Sequence, residues 1–315
     1  MISRRAFLAT TPLLAQNAPK PVPRMQAIPQ PLDQVLFTRA DRELARYYYS
    51  PSLRRPFLHP IIGPSGRPLT RMGHPRDPQG HSHHNSVWIS HQSVNGTNFW
   101  EDADSPQHGR IRQVRLRALD DGDPDCGLTA DLTWTGPTGA TLLAERRRIT
   151  LRDLTGGEWL LLLDLSFTTG LETVTLGQSP FGPIGVRMVK TIGVNDGGGQ
   201  LRNSEGLAGE PAIFRKPARW VDYSGPVANG PRGTLIQEGI TLLDHPANPS
   251  HPSPFHVRRD GWMGACLTLN AALTLRPGNA LRLRYGLYVH AGVPAPPAID
   301  AMWKRFAGDP IAPLQ

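Results

Sequence analysis

The sequence has few lysines, and its arginines are dispersed. Lys20, Lys190, Lys216 and Lys304 are the only lysines in the chain, so arginine dominates the positive side of a net charge of +8. Dispersed arginines do not make the compact basic stripe of a nucleic-acid-binding protein. The one run, residues 146–148, lies in a predicted strand, where successive side chains face opposite sides. We therefore expect no nucleic-acid partner.

Long apolar segments and cysteines are also scarce. The longest uninterrupted apolar run, residues 159–163, is far shorter than the roughly 20 residues that a membrane-spanning helix needs. We therefore expect no membrane span. Cys126 and Cys266 are the only cysteines, and they either pair or stay free and buried. No Cys-x-x-Cys motif occurs, which excludes a structural zinc site built on thiolates.

The N-terminus resembles an export signal. Ser3-Arg4-Arg5-Ala6-Phe7 resembles the twin-arginine consensus, and a short apolar stretch follows it. The sequence thus predicts an export signal over residues 1–16 and a periplasmic or otherwise exported protein. The proline-rich residues 17–32 are typical of an extended linker.

Residues 33–315 are predicted to form one domain, an all-β antiparallel sandwich. Proline and glycine, at 32 residues each, favour short strands and turns over long helices. Apolar and polar residues alternate between turn residues, as in antiparallel strands with one buried face. The predicted strands cover residues 114–118, 128–134, 141–151, 159–167, 173–176, 184–189, 233–243, 266–269, 273–275 and 281–289.

A single helix is predicted over residues 297–307. Ile299, Met302, Trp303 and Phe306 repeat with helical spacing and make one apolar stripe. The stripe predicts a helix that docks on the sheet.

Histidines cluster in the segment HSHHNSVWISH, which contains His81, His83, His84 and His91. In an extended segment His81 and His83 point to one side, where two imidazoles can share a divalent metal. The same rings can donate and accept protons on a substrate, because their pKa lies near neutrality. A third interpretation is a polar loop whose histidines bond to the backbone.

A hairpin is predicted beside this cluster. Asn95-Gly96 is the preferred pair for a type I′ turn, and it would join residues 87–94 to residues 97–100. The hairpin would place Trp88 and Trp100 near the histidines, where an aromatic face can contact a sugar ring.

A second group of candidate residues lies in the C-terminal half. His245 begins a proline-punctuated loop, and His256 and Arg258 share one face of a predicted strand. Asp222 could orient a histidine or bind a hydroxyl group, and His290 ends the last long strand at the rim of the sandwich. A rigid backbone that carries such groups is more typical of a binding or catalytic site than of side chains that only face the solvent.

Several stretches together resemble the bacterial PmoA-like family, which is a domain family of unknown function often labelled "methane oxygenase PmoA". They are PFLHPIIGPSGRPLTR, HSHHNSVWISHQSVNGTNFW, GVRMV, NSEG, WVDYSG, DHPANPSHPSPFHVR and LRLRYGLYVHAG, in residues 46–293. The family motif resembles Asp-His-Pro-His-His-Arg-Gly/Ser-Leu-Trp. Here His81, His83 and His84 keep its histidines, whereas Gly80 and Asn85 replace its aspartate and arginine. Arg187 of the Gly-x-Arg-Met motif is kept.

The true methane monooxygenase subunit of that name is an integral membrane protein, so we do not expect methane oxidation from this chain. A looser resemblance, in the order of a Gly-Arg-Pro segment and the histidine motif, is to the galactose mutarotase-like aldose epimerases. Their β-supersandwich binds sugars in a cleft with paired histidines and a carboxylate. That resemblance implies a supersandwich fold and a small-molecule carbohydrate partner.

Two hypotheses follow. The first is an exported carbohydrate-active enzyme of the epimerase, lyase or hydrolase type, acting by histidine acid–base or metal-assisted chemistry. Its predicted catalytic residues are His83, His84, His245 and His256, with a possible divalent metal on His81 and His83. Its predicted substrate-binding residues are His81, Trp88, His91, Arg187, Asp222, Arg258 and His290. The second hypothesis is a non-catalytic carbohydrate-binding protein that uses the same cleft.

Overall fold

The computed structural model describes residues 21–73, 81–102 and 105–314, which form two large antiparallel sheets. In chain order the strands are β1 (Met25–Gln30), β2 (Gln34–Arg39), β3 (Arg42–Tyr48), β4 (Phe57–Ile61), β5 (Val87–Ile89), β6 (Arg110–Asp120), β7 (Asp125–Thr135), β8 (Thr141–Asp153), β9 (Trp159–Thr168), β10 (Val174–Leu176), β11 (Ile184–Arg187), β12 (Gln200–Asn203), β13 (Trp220–Asn229), β14 (Leu235–Asp244), β15 (Phe255–Arg258), β16 (Trp262–Ala265), β17 (Leu273–Leu275) and β18 (Ala280–Ala291).

The first sheet has the order β1-β2-β3-β4-β5-β11-β16-β15, and the second has the order β12-β13-β14-β18-β9-β8-β7-β6. Strands β10 and β17 pair separately. Apolar side chains from both sheets share one core, so the predicted all-β sandwich is confirmed.

Strand β9 shows why its sequence is a continuous apolar run. Leu161 and Leu163 point into the core between the sheets, whereas Leu160 and Leu162 point to the outer face of the second sheet. Because both faces of this strand are covered, the alternation of apolar and polar residues disappears.

The cover on the outer face is the helix α3 (Pro296–Gly308), which confirms the predicted C-terminal helix. Ile299 and Phe306 are fully buried against the strand face that carries Leu160 and Leu162. The other helices, α1 (Val194–Gly197) and α2 (Glu210–Ile213), are single turns. Among the described residues no helix has the length and apolar character to cross a bilayer.

The N-terminal part of the chain differs from its prediction. Residues 1–16, the predicted export signal, lie outside the described residues. Within the predicted linker, Met25–Gln30 form β1, and Met25 and Ala27 are buried in the core. Pro29 lies in an edge strand, where a missing backbone donor is tolerated, so the proline content concealed a strand.

The predicted hairpin after the histidine cluster is largely replaced by irregular structure. Asn95 and Gly96 have positive φ angles of 48° and 80°, and Val94 and Thr97 exchange two backbone hydrogen bonds, so the turn itself forms. However, β5 ends at Ile89, and Val94 also bridges to Leu176 of β10. Residues 266–269, also predicted as a strand, are mainly turn and bend.

Candidate active site

The candidate site lies on the face of the first sheet that points away from the core. Phe57, Trp88, Trp100 and Trp262 form a buried aromatic cluster that is separate from the main core. Trp88 lies opposite Phe57 on one side and Gly185 on the other, because β5 pairs with β4 and with β11. Its neighbours in sequence, Val87 and Ile89, point into the core. This alternation forms an aromatic floor on the outer face.

Glycine makes room for the floor. A Cβ atom on Gly185 would lie 2.7 Å from the Trp88 ring and 2.8 Å from the Trp262 ring. A Cβ atom on Gly264 of β16 would lie 2.9 Å from the Trp262 ring. All three distances are shorter than van der Waals contact, so the Trp88 and Trp262 rings occupy these positions only because the two glycines lack side chains.

Three histidine rings lie above this floor. His84 stacks on His81 with ring centroids 4.5 Å apart, and on its other side it stacks on Trp262 at 5.0 Å. The His83 ring meets that of His84 edge-on at 4.6 Å. The backbone N–H of His84 donates to the carbonyl of His81 at 3.1 Å, a turn that gathers the three side chains.

His84 is the most enclosed of the three. Burial lowers its pKa far below the ordinary histidine value, and the positive potential of its neighbours His83 and Arg187 lowers it further. Its imidazole is therefore neutral at physiological pH.

The side chain of Asp260 contacts the His81 ring. Oδ2 of Asp260 lies 3.4 Å from Nδ1 of His81, and both carboxylate oxygens bond to the Arg187 guanidinium at 2.8 and 3.0 Å. Burial alone would raise the pKa of Asp260, but the hydrogen bonds from His81 and Arg187 hold it well below its usual range. The ionised carboxylate fixes the orientation of the His81 ring.

His83 faces a second carboxylate. Its Nδ1 lies 3.6 Å from Oε2 of Glu101. Burial lowers the pKa of His83 to about 4, Glu101 opposes this shift, and the cations Arg55 and Arg187 reinforce it. The segments that carry His83 and Glu101 form one wall of the site. The buried Arg55 guanidinium holds this wall in place by donating to the carbonyl of His83 at 2.7 Å and to Asp102 at 2.6 Å.

The opposite wall comes from β15. His256 is buried, its Nδ1 lies 3.2 Å from the carbonyl oxygen of Pro180, and its ring contacts Phe181. Burial lowers the pKa of His256 to about 4. Arg258 is more open, with 42% of its side chain exposed, and it donates to Glu210 at 2.9 Å.

These two walls and the aromatic floor enclose a cavity of about 320 Å³. Its lining consists of His81, His83, His84, Trp100, Glu101, Phe181, His256, Arg258 and Trp262. The volume lies at the lower end of pockets that hold small molecules. Imidazoles, a carboxylate and a guanidinium on an aromatic floor can hydrogen-bond a polar ligand, contact its apolar face and exchange protons with it.

With this geometry established, comparison with known proteins places the chain in a family. A family model for a family of unknown function (DUF6807) matches residues 34–304. The chain belongs to this family. The family that matches is named neither as a PmoA-like nor as a mutarotase-like family. No curated protein matches the chain.

Two solved structures show only distant similarity. Polysaccharide Lyase BACCELL_00875 is 11% identical with a TM-score of 0.31, and the match covers 87% of this chain and 33% of the lyase. This chain therefore spans about a third of the length of that protein. HI1317 is 10% identical with a TM-score of 0.26, and the match covers 84% of this chain and 98% of HI1317.

For this family member, the structure brings together five of the predicted site residues. His81, His83, His84, His256 and Arg258 line one cavity, although the first three and the last two are far apart in sequence. Two further predicted residues support the cavity without lining it: Trp88 lies in the floor beneath His84, and Arg187 holds Asp260.

Two predicted histidines lie elsewhere. His91 is buried, its Nε2 lies 2.9 Å from Oγ1 of Thr268, and its Nδ1 accepts the backbone N–H of Ser93. Both ring nitrogens are occupied, as in a structural histidine. His245 accepts the backbone N–H of Ala247 and packs on Phe306 of α3, so it belongs to the helix-docking region and not to the cavity.

Asp222 and His290 also lie outside the cavity. They are fully buried, 2.8 Å apart, on the outer face of the second sheet, whereas the cavity is on the outer face of the first. Asp222 also accepts hydrogen bonds from Arg202, Ser224 and Thr241. With all these donors supplied by the protein, the carboxylate stabilises the sheet instead of contacting the cavity.

The sequence did not identify four residues of the site, namely Glu101, Phe181, Asp260 and Trp262. The prediction that Trp100 lies near the histidines is confirmed. Asp260 and Trp262 follow the predicted His256–Arg258 strand within a few positions, so the strand pattern could have found them. Glu101 and Phe181 lie in irregular segments that no periodicity identifies.

The predicted metal site at His81 and His83 has no third ligand among the residues described here. Within the described ranges no group of three or more His, Cys, Asp or Glu residues is arranged to hold a metal ion. The His81 and His83 rings are nearly perpendicular, with centroids 6.2 Å apart.

Proposed function

We propose that the cavity binds a carbohydrate and that its histidines transfer a proton at or next to the anomeric or keto carbon. The main support for the proposal is the stack of His81, His84 and Trp262. His81 contacts the half-buried Asp260, whose carboxylate is held by the buried Arg187. This arrangement combines proton-transfer groups with an aromatic surface in one small cavity.

The side chains that line the cavity indicate how it would recognise a sugar. The apolar face of a sugar ring packs on aromatic rings, and Trp100, Phe181 and Trp262 supply such faces. The hydroxyl groups of the sugar would bond to the neutral imidazoles of His83 and His256. The exposed guanidinium of Arg258 would hold a carbonyl or carboxylate oxygen through its planar donors.

The proton transfer follows from the carboxylate–histidine pair of Asp260 and His81. His81 would remove a proton from the carbon next to the carbonyl, because the Asp260 carboxylate stabilises the imidazolium that forms. The electron pair of the broken C–H bond moves to the carbonyl oxygen, where Arg258 stabilises the negative charge. Return of the proton to the opposite face of the same carbon gives epimerisation. Its delivery to the former carbonyl carbon, with transfer of the proton of the adjacent hydroxyl group to the former carbonyl oxygen, gives isomerisation.

Solvent-exchange NMR tests this proposal without knowledge of the product. The full chain in D2O is incubated with a panel of aldoses, ketoses and uronic acids, and incorporation of deuterium at carbon is followed. We expect exchange with at least one sugar and its loss in His81→Ala and Asp260→Asn. His59→Gln is the control, because His59 on β4 does not line the cavity. Exchange that persists in His81→Ala would overturn the assignment.

A non-catalytic carbohydrate-binding function is the second candidate. The observation that favours it is the depressed pKa of His83, His84 and His256, since groups that resist protonation act well as neutral hydrogen-bond partners. Sugar binding by calorimetry with no deuterium incorporation across the panel would establish this function instead.

Export and metal-assisted chemistry complete the proposal. We propose that residues 1–16 direct export, on the basis of the twin-arginine-like segment that begins at Ser3. Cell fractionation of the wild type and the Arg4→Lys/Arg5→Lys variant tests this, because the variant should be retained in the cytoplasm.

Elemental analysis of untagged wild type and His83→Ala tests metal binding by His81 and His83.

A further inference from the structure

A second cleft lies at β6, the edge strand of the second sheet. It has a volume of about 660 Å³ and is formed by the start of β6, the turn between β7 and β8, and residues 105–108. Its polar lining includes Arg54, His108, Arg110 and Arg112, and none of the described residues that line it is acidic.

Two of these arginines have no partner within the described part of the chain. Arg110 and Arg112 make no hydrogen bond or ion pair there, whereas most other arginines of β6–β8 bond to carboxylates, as Arg117 and Arg146 do to Asp131. Their positions two apart on β6 place both side chains on one face, while Ile111 between them is buried in the core. Their Cα atoms are separated by about 6.8 Å. Like charges at this spacing repel each other, and a bound anion would relieve that repulsion.

The cleft and the cavity share structural elements. Glu101 lines the cavity and Ser105 lines the cleft, so their Cα atoms are at most about 14 Å apart along the chain. Arg54 lines the cleft, and the next residue, Arg55, donates to the carbonyl of His83 and to Asp102 in the cavity wall. The backbone N–H of Ile111 donates to the carbonyl of Arg54 at 2.9 Å, which ties β6 to the same segment.

We propose that this cleft binds the carboxylate or sulfate groups of an acidic oligosaccharide, one sugar of which occupies the histidine cavity. The inference rests on the proposed carbohydrate function and adds the substrate class. Planar guanidinium groups match the geometry of carboxylate and sulfate oxygens. The pair Arg110 and Arg112 would contact successive anionic groups of the chain, and the aromatic cavity would hold the sugar at which the proton moves.

Calorimetry with defined oligosaccharides tests the proposal. The probes are a hyaluronan hexasaccharide, a heparin-derived hexasaccharide, a neutral cellohexaose and free sulfate. The variant is Arg110→Gln/Arg112→Gln, and the matched control is Arg67→Gln/Arg276→Gln. The control removes the same charge from two exposed arginines that do not line the cleft. Circular dichroism verifies the fold of both variants.

We expect an acidic hexasaccharide to bind wild type more tightly than cellohexaose, and the cleft variant to lose about tenfold or more in affinity while the control retains it. Equal losses in both variants would mean attraction by net charge alone and would overturn the proposal. Affinity for the acidic hexasaccharides no greater than for free sulfate or cellohexaose would also overturn it.

Solvent exchange separates this inference from the proposed function. If the cleft variant exchanges deuterium into a monosaccharide normally but binds the acidic hexasaccharides as wild type does, the inference fails and the proposed function stands. If no sugar exchanges deuterium in wild type, yet the hexasaccharide affinity falls only in the cleft variant, the anionic subsite stands and the catalytic proposal fails.

Discussion

Oδ2 of Asp260 lies 3.4 Å from Nδ1 of His81, although the two residues are far apart in the chain. Arg187, which is fully buried, holds the same carboxylate through both of its oxygens. The geometry makes Asp260 a positioning residue that links His81 to the first sheet.

Replacement of Asp260 by asparagine tests this role. We expect Asp260→Asn to lower the rate of deuterium exchange tenfold or more, because the imidazolium of His81 loses its counter-charge. We also expect the free energy of unfolding to fall by about 3 kcal/mol, since the buried Arg187 charge loses its partner. Urea unfolding measures the second effect. Asp196→Asn on an exposed turn is the control, and an Asp260→Asn protein as active as wild type would contradict the assignment.

The pKa of His83 should respond to Glu101. Burial lowers this pKa to about 4, and the Glu101 carboxylate opposes the shift, so Glu101→Gln should lower it further. NMR titration of the histidine ring signals measures the shift without any substrate. The exposed Glu172→Gln is the control, and an upward movement of the His83 titration in Glu101→Gln would contradict the electrostatic account.

Stability should depend on pH through His91. Burial lowers the pKa of His91 in the folded protein to about 4, below the value of 6.5 for an unperturbed histidine. The unfolded chain therefore binds more protons between pH 6.5 and 4. The stability contributed by the neutral ring is complete above pH 6.5 and is lost as the pH falls through this window. Urea unfolding from pH 7.5 to 4.5 should show this decline, and His91→Gln should show a shallower one.

The aromatic floor should not tolerate a methyl group at position 185. The Cβ atom of Gly185→Ala would lie 2.7 Å from Trp88 and 2.8 Å from Trp262. We expect a loss of about 1–3 kcal/mol in unfolding free energy and weaker ligand binding, because the rings must shift. The matched control is Gly170→Ala, whose Cβ would meet no atom within 4 Å. Wild-type stability and near-UV circular dichroism in Gly185→Ala would refute the close-contact argument.

We expect Asp222 to affect the stability of the fold and not ligand binding in the cavity. Despite burial, hydrogen bonds and the charge of His290 lower the pKa of Asp222 to about 2. Its stabilising effect is therefore complete above about pH 4 and is lost as the pH falls towards 2. Asp222→Asn should lower the unfolding free energy by about 3–5 kcal/mol and leave sugar affinity unchanged. A large change in affinity in a folded Asp222→Asn protein would restore the substrate-binding role that the sequence predicted.

The sequence predicted the elements whose signals are local. The alternation of apolar residues identified β7, β8 and β18, and a continuous apolar run identified β9. The spacing from Ile299 to Phe306 identified α3. The first four strands were missed because their segment is rich in proline and polar residues, and their pairing depends on contacts with distant parts of the chain.

The sequence predicted only part of the site, because local patterns identify single segments and not the contacts between distant ones. Clustering in sequence identified the residues from His81 to His84, and a strand pattern identified His256 and Arg258. That the two groups meet depends on the pairing of β5 with β11, β11 with β16 and β16 with β15, which no single segment reveals. His245, Asp222 and His290 have suitable chemistry, but their strands belong to the second sheet or lead to α3.

The grouping of Trp88, Trp100 and Trp262, with ring centroids 5.2–5.6 Å apart, has a spectroscopic consequence. Indoles this close exchange excitation energy, so their emission responds as a unit to whatever touches one of them. Because Trp100 and Trp262 border the cavity, occupation of that space will register in the intrinsic ultraviolet fluorescence of the unlabelled protein.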